Sequence, residues 1–173
     1  MSDTALVCAD HSEITLEQCV AIGKTHSVAP PFILGIRYPM AGLYDDAICV
    51  VDTINFEAFN GNTSPSRHGR GMATVIAPQV VEYKIGIHNL HKAPEFQYQA
   101  LCQAGPIRVT REGIGEVPAG FFGINIHRGG NTTPGSEGCQ TLPPQQWPKF
   151  MAAIWATLKM RNIYTIKYLL VNA

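Results

Sequence analysis

The sequence predicts a mainly β fold with one helix near the N-terminus and a second helix late in the chain. Three observations indicate this: short apolar segments separated by Gly, Pro, Asn and Asp clusters, and two stretches with helical spacing, over residues 12–26 and 143–160. The 173 residues are 46% hydrophobic and 15% charged, which is enough for one proper core. We predict a lead-in segment over residues 1–40 that forms one compact unit with a main domain over residues 41–173.

The elements follow from local patterns. Residues 12–26 predict a short helix with Ser12 or Thr15 as its N-cap. Its apolar side consists of Leu16, Cys19, Val20 and Ala21. The predicted strands are residues 32–38, 47–53, 71–76, 82–88, 107–111, 121–127 and 166–171. The late helix follows Pro143 and Pro144, and one face of it carries Trp147, Phe150, Met151, Ile154 and Leu158.

Charge and hydropathy exclude several classes of partner. Thirteen basic residues balance thirteen acidic ones, so no electrostatic argument favours nucleic acid or an anionic membrane surface. The longest apolar runs have the length of strands, so no membrane insertion is expected. The first twenty residues lack the positive and apolar regions of a signal peptide. We therefore expect synthesis in the cytoplasm, with any action elsewhere requiring a separate route of release.

The cysteines are not expected to form a disulfide framework. There are five, at positions 8, 19, 49, 102 and 139, with no CxxC pair, which argues against a disulfide scaffold or a zinc ribbon. Cys49 and Cys102 have apolar neighbours, where a cysteine usually acts as a small hydrophobic residue. Cys139 instead lies among polar residues and glycine. It is the candidate for chemistry, and no cofactor is predicted.

Two strand segments resemble each other. Residues 83–88 are YKIGIH and residues 122–127 are FGINIH, so strand alternation places the isoleucines on one face. His88 and His127 then share the opposite face, with Gly86 and Asn125 beside them. If the two strands are neighbours, both imidazoles point to the same open face.

The stretch from residue 124 to 142, INIHRGGNTTPGSEGCQTL, combines a histidine, a flexible loop and a cysteine. A cysteine nucleophile needs a base within hydrogen-bond reach and donors for an oxyanion. The loop of residues 128–135 has three glycines and one proline, so a hairpin-like return can bring His127 to Cys139. Gly138 allows close approach of a carbonyl group to the backbone beside the thiol.

The run of residues His127, Arg128, Gly129, then Ser136, Glu137, Gly138, Cys139, Gln140 and Thr141 resembles the catalytic signature of the L,D-transpeptidase family. The resemblance implies a β-sandwich-like domain in which Cys139 attacks the stem peptide of peptidoglycan and His127 is its base. It also implies an oxyanion hole around Gly138 and Cys139, and a backbone carbonyl after His127 that orients the ring. Glu137 stands where the family usually has His, and Thr141 where it usually has Arg.

The resemblance extends to two narrower groups. The pattern Ser-x-Gly-Cys-x-Thr is similar to bacterial toxins of this superfamily that trim stem peptides. The wider pattern, which includes YDDAI, FNGNTSP, IGIH and QQW, resembles proteins of phages and prophages. We therefore expect a cell-wall-degrading enzyme of endolysin type that acts in the periplasm or cell wall after release by a lysis or secretion system.

Residues near the dyad are candidates for substrate binding. They are Ser136, Asn125, Arg128, Gly129, Thr141 and His88. A guanidinium at position 128 suits a stem-peptide carboxylate, whereas a serine two residues before a glycine commonly fixes a turn. Glu137 is expected to point away from the thiol or to bind a cationic group.

The sequence leaves the reaction open in three ways. A cysteine-dependent acyl-transfer enzyme would favour hydrolysis, as an L,D-carboxypeptidase or endopeptidase, over cross-linking. A zinc-dependent peptidoglycan amidase would use His88, His127 and Cys139 as ligands with an open fourth position. A non-catalytic virion or structural protein would show no effect of Cys139→Ala on any activity.

Overall fold

The computed structural model describes residues 11, 13–39 and 43–173, and it confirms the mainly β prediction, with 39% strand and 18% helix. The elements are α1 (Leu16–Thr25), β1 (Phe32–Arg37), β2 (Asp46–Val51), β3 (Glu57–Gly61), β4 (Ala73–Val75), β5 (Gln79–His88), a 3-10 turn (Pro94–Phe96), β6 (Tyr98–Gln103), β7 (Ile107–Arg111), β8 (Gly115–Gly120), β9 (Ile126–Arg128), β10 (Gln140–Leu142), α2 (Trp147–Arg161) and β11 (Thr165–Asn172). In this part of the chain, no helix is both long enough and apolar enough to cross a membrane.

Two sheets make up the fold. The larger has eight strands in the order β10-β9-β6-β5-β11-β1-β2-β3, and the smaller has the order β4-β7-β8. Just beyond β3, Asn62 exchanges two backbone hydrogen bonds with Thr141 of β10, at 2.8 and 2.9 Å. The large sheet is therefore joined across its two edges, and β10, which follows Cys139, is held from both sides.

Both faces of the large sheet are covered near β1, β2 and β11. The face under α1 carries Phe32, Leu34, Ile36, Ala47, Cys49, Val51, Leu169 and Val171. The opposite face belongs to the main core, which includes Ile33, Ile48, Val50, Tyr168 and Leu170 together with α2 and the small sheet. Burial on both faces explains why these strands are nearly continuous apolar runs in the sequence.

Helix α1 is shorter than predicted. It begins after Thr15, whose side chain forms a capping box with Gln18, whereas the other candidate cap, Ser12, lies outside the described residues. Cys19 is fully buried but Ala21 is exposed, so Ala21 was wrongly assigned to the apolar side. The contact continues instead at Gly23, where a Cβ would lie 2.6 Å from the Phe32 ring, because residues four apart share a helix face.

Helix α2 has the predicted inward face. Trp147, Phe150, Met151, Ile154 and Leu158 are all buried. The helix ends at Asn162, whose φ of 51° places it in the left-handed region that commonly ends helices. This packing assigns Trp147 to the core.

The strand predictions are right for most of the apolar runs and wrong for the polar or short ones. Strands β3, β6, β8 and β10 were not predicted. The β8 segment contains Pro118 and glycines, which an edge strand of the small sheet tolerates. The predicted strand over residues 121–127 is wrong at its start: Gly123 has φ +70°, and the strand forms only at Ile126–Arg128.

Candidate functional site

The two histidines of the repeated strand pattern lie face to face. The rings of His88 and His127 stack with centroids 4.2 Å apart and planes inclined by 18°. Their strands are not neighbours, however, because β6 runs between β5 and β9. By strand alternation the fully buried Ala100 lies on the same face of β6. This small side chain leaves the space in which the two rings meet.

His127 is buried and its ring is held by the backbone. Its Nδ1 lies 2.8 Å from the carbonyl oxygen of Arg128, to which it donates. The Tyr98 hydroxyl donates to the same oxygen at 3.2 Å and lies 3.5 Å from Nδ1. A proton fixed on Nδ1 leaves Nε2 with its lone pair, which is the form required of a general base.

Cys139 directly precedes β10, the strand next to that of His127, and lies two residues behind the position paired with His127. Strands β9 and β10 are parallel, and Gln140 pairs with Ile126 while Thr141 pairs with His127. Position 139 is therefore opposite Asn125, on the same face as the imidazole. The diagonal separation of Cα atoms is about 8 Å, from strands roughly 4.8 Å apart and a rise of about 3.3 Å per residue. The predicted hairpin-like return is wrong, because the loop returns the chain to begin a parallel strand.

No hydrogen bond joins the thiol to either imidazole among the described residues. The Cys139 Sγ accepts from the backbone N–H of Asn125 at 3.4 Å and lies 3.5 Å from the Gly123 carbonyl, to which it donates. The direct contact with His127 that the sequence suggested is therefore absent here. The register gives the physical reason, since Thr141 is the residue paired with His127. Catalytic hydrogen bonds are often long before substrate binds.

The turn before Cys139 is fixed by Ser136. Its hydroxyl accepts from the Gly138 N–H at 3.0 Å and donates to the Cys139 carbonyl at 2.6 Å. Ser136 is buried and is tied to Ser66 as well, so in this arrangement it holds the turn. The Gly138 N–H is thereby occupied. The Cys139 N–H has no partner among the described residues and is the available oxyanion donor of this turn.

Gly138 brings the cysteine against the small sheet. Its φ is +152°, and a Cβ there would lie 2.7 Å from the carbonyl oxygen of Ala73 in β4. The neighbouring Glu137 carbonyl accepts from the Ala73 N–H at 3.1 Å. The Glu137 carboxylate itself is exposed, 3.7 Å from Arg67. Glycine at position 138 therefore has a steric reason, independent of any substrate.

The groups of the site are neutral at rest. Burial raises the pKa of the Cys139 thiol, Glu137 and Cys102 raise it further, and the Asn125 N–H acts in the opposite direction. Burial lowers the pKa of His127, with Lys92 adding to this and the Arg128 carbonyl opposing it. Burial, followed by His127, Lys92 and His91, lowers the pKa of His88 to about 4. The thiol and both rings are thus uncharged near pH 7, so the site holds no preformed thiolate–imidazolium pair.

The other predicted site residues have structural contacts of their own. The Asn125 carboxamide accepts from the Gln103 N–H at 3.0 Å and donates to Nδ1 of His88 at 3.4 Å. The exposed Arg128 guanidinium lies 4.9 Å above the Tyr98 ring. A Cβ at Gly129 would collide with the Tyr44 hydroxyl.

Thr141 lies on the site face of β10, beside His127. It is fully buried, and its hydroxyl has no hydrogen-bond partner among the described residues. In this arrangement Thr141 lies beneath the site surface.

Cys139 lines a cleft of about 230 Å³ where the small sheet meets the turns that precede β9 and β10. The cleft is lined by Gly71, Met72, Ala73, Arg111, Phe122, Gly123, Ile124, Glu137, Gly138 and Cys139. Sequence reasoning missed Arg111, Phe122 and Tyr98. The alternation of Tyr98, Ala100 and Cys102 in YQALCQ was a usable signal for Tyr98, but nothing local to Arg111 connects it to Cys139.

The structure gives no support to a zinc site. Within residues 11, 13–39 and 43–173, no three or more His, Cys, Asp or Glu side chains are grouped so as to hold a metal ion. His88 and His127 stack ring on ring, and the Cys139 thiol contacts backbone groups. Cys19, Cys49, Cys102 and Cys139 are all free thiols.

Comparison with known proteins adds no identification. No protein-family model, curated protein or solved structure matches the chain.

The stacked imidazoles predict a loss of stability in acid. A histidine with a lowered pKa in the folded state stabilises the fold above its unfolded pKa, near 6.5, and this contribution is lost as the pH falls toward the folded value. For His88, with a folded value of about 4, we expect a loss of about 2 kcal/mol between pH 7 and pH 4.5. Urea unfolding at the two pH values measures it.

The control for this prediction is His88→Gln, which removes the titrating ring and keeps a polar side chain. Its free energy of unfolding should depend less on pH than that of the wild type, by the same amount. Equal pH dependence in the two proteins would contradict the prediction, because acidic groups elsewhere would then account for the whole effect.

Proposed function

We propose that the protein is a cysteine-dependent acyl-transfer enzyme that acts on peptidoglycan stem peptides. The observation that carries the proposal is the juxtaposition at the cleft. Cys139 lines it, and His127, which does not line the cleft itself, lies with its proton held on Nδ1 on the same face of the adjacent strand β9. The choice of the stem peptide as the substrate rests on the resemblance of residues 127–141 to the L,D-transpeptidase signature.

The reaction begins with a neutral pair. As a carbonyl group enters the cleft, the Cys139 side chain rotates away from the Gly123 carbonyl, its proton passes to Nε2 of His127, and Sγ attacks the carbonyl carbon. The Cys139 N–H donates to the developing oxyanion. The C–N bond then breaks, the leaving amine takes the proton from His127, and a thioester to Cys139 remains. Water, deprotonated by His127, hydrolyses the thioester and restores the thiol.

Hydrolysis is favoured over cross-linking because the cleft is small for a second substrate. The cleft volume of about 230 Å³ is below the range of roughly 300–1,000 Å³ typical of ligand pockets. A cross-linking enzyme must hold an acceptor amine beside the acyl-enzyme, whereas water needs no such subsite. The proposal is therefore an L,D-carboxypeptidase or endopeptidase that acts on the cell wall, in the periplasm or outside it.

The test is incubation of the wild-type protein with soluble tetrapeptide and cross-linked muropeptides, followed by acid quenching and mass analysis. We expect loss of a terminal D-Ala or cleavage of a cross-link, and an acyl adduct on the tryptic peptide that contains Cys139. Release of the intact peptide from the sugar, inhibited by a chelator, would indicate the zinc amidase instead. No product and no adduct would overturn the proposal.

A further inference from the structure

The cleft beside Cys139 is lined by one arginine, Arg111, which contacts neither Cys139 nor His127 through a hydrogen bond. Arg111, at the end of β7, lines the cleft from the small sheet. It pairs across the sheet with Ala73, whose N–H and carbonyl approach Glu137 and Gly138. Arg111 therefore lies on the strand next to β4, and the backbone of β4 contacts the turn before Cys139.

The Arg111 side chain is held in place by neutral groups. Its Nη1 donates to the Gly71 carbonyl at 2.7 Å, and its guanidinium carbon lies 5.1 Å from the centroid of the Phe122 ring. One hydrogen bond and one ring contact fix the plane of the guanidinium, while its remaining N–H groups make no hydrogen bond within the described part of the chain. A guanidinium fixed in this way can pair with a carboxylate through two parallel hydrogen bonds.

Arg111 lines the same cleft as Glu137 but forms no ion pair with it. No carboxylate forms an ion pair with it among the described residues. Two other arginines are paired: Arg108, on the same strand, lies 3.9 Å from Glu116, and Arg67 lies 3.7 Å from Glu137. Arg111 is only partly exposed, so within the part of the chain that the structure describes its positive charge lies unpaired in a cleft lined by Cys139.

We propose that Arg111 binds a free carboxylate of the substrate, so that the cleft selects the C-terminal residue of a peptide as the leaving group. This inference rests on the proposed function and narrows it to carboxypeptidase action. A terminal residue carries its carboxylate two bonds from the nitrogen that leaves, so one residue bridges the thiol and the guanidinium. An internal residue, as in a cross-link, presents a neutral amide instead.

The first test needs no knowledge of the substrate. Iodoacetate and iodoacetamide alkylate the same thiol and differ in one carboxylate, and mass analysis of the Cys139 peptide gives both rates. In the Arg111→Gln variant, we expect the ratio of the iodoacetate rate to the iodoacetamide rate to fall about tenfold from the wild-type value, because a charge-assisted pair is lost. Arg111→Lys should keep an intermediate ratio.

The matched control is Arg108→Gln, which removes one positive charge from the same strand but lies outside the cleft. Its ratio should equal that of the wild type. Because both reagents probe the same folded protein, a change in stability alone affects both rates and leaves the ratio unaltered. Equal ratios in Arg111→Gln and the wild type would overturn the inference.

A second test separates this inference from the proposed function. Tetrapeptide muropeptides with a free or an amidated C-terminus are given to the wild type and to Arg111→Gln. If the wild type cleaves only the free form and Arg111→Gln cleaves it more slowly, the result supports both the acyl-transfer function and the carboxylate site. Equal cleavage of both forms overturns the carboxylate site and leaves the acyl-transfer function standing. No cleavage at all, with the alkylation ratio still dependent on Arg111, overturns the function and supports the carboxylate site.

Discussion

A Cys139→Ala variant is expected to release no stem-peptide product, whereas Cys102→Ala keeps the turnover of the wild type. The two cysteines lie on one sheet face on either side of β9, and both thiols are free and partly buried. Of the two, Cys139 lines the cleft, and its backbone N–H has no hydrogen-bond partner in the part of the chain that the structure describes. Loss of a nucleophile typically lowers turnover by about 10⁴-fold or more, so the residual rate should lie below detection.

The measurement is a time course of muropeptide products by mass spectrometry at equal concentrations of folded protein. Cys102→Ala is the matched control because it removes a thiol from the same face, where Cys102 packs against Gly86. Product formation by Cys139→Ala at the wild-type rate would contradict a thiol mechanism. Absence of product in the wild type as well would favour the non-catalytic protein that the sequence also allows.

A Gly138→Ala variant is expected to lose both stability and activity. The added methyl group would meet the Ala73 carbonyl oxygen at 2.7 Å, and the φ of +152° is strained for any residue with a Cβ. Together these should lower the free energy of unfolding by about 2–4 kcal/mol. Relief of the collision must move either β4 or Cys139, and a displacement of about 1 Å at a catalytic group can lower turnover about 100-fold.

The control for Gly138→Ala lies three residues earlier in the same loop. Gly135 also has a positive φ, +66°, but a Cβ there would meet nothing within 4 Å. Gly135→Ala should therefore cost only the backbone strain, about 1 kcal/mol, and should retain activity. Urea unfolding and the muropeptide assay are run on both variants. Equal losses of stability and activity in the two variants would show that the close contact of Gly138 with Ala73 contributes nothing beyond backbone strain.

Much of the fold followed from local patterns. The apolar face of α2, the buried runs of β1, β2 and β11, and the cap at Thr15 are dictated by residues close together in the chain. The missed strands β3, β6, β8 and β10 have polar residues, glycine or proline in their sequences. Such segments become strands because neighbours complete their hydrogen bonds, and that is a tertiary effect.

Candidate site residues could also be selected from the sequence, but not their arrangement. The motif between residues 124 and 142 singled out His127, Gly138 and Cys139, and the repeated pattern added His88. The pairing of Thr141 with His127, which leaves Cys139 one pleat away, depends on a parallel register fixed by long-range contacts. A one-residue change of register would have put the thiol on the other face.

The sequence by itself determined the class of the fold, the inward face of α2 and the residue types available for chemistry, because periodicity and composition act over a few neighbouring residues. Only the tertiary structure decided that β6 separates the two histidine strands while Ala100 lets the rings meet. It alone placed Arg111, from the second sheet, in the cleft of Cys139. Such placements depend on which strands pair, and pairing is fixed by burial and hydrogen bonding over the whole chain.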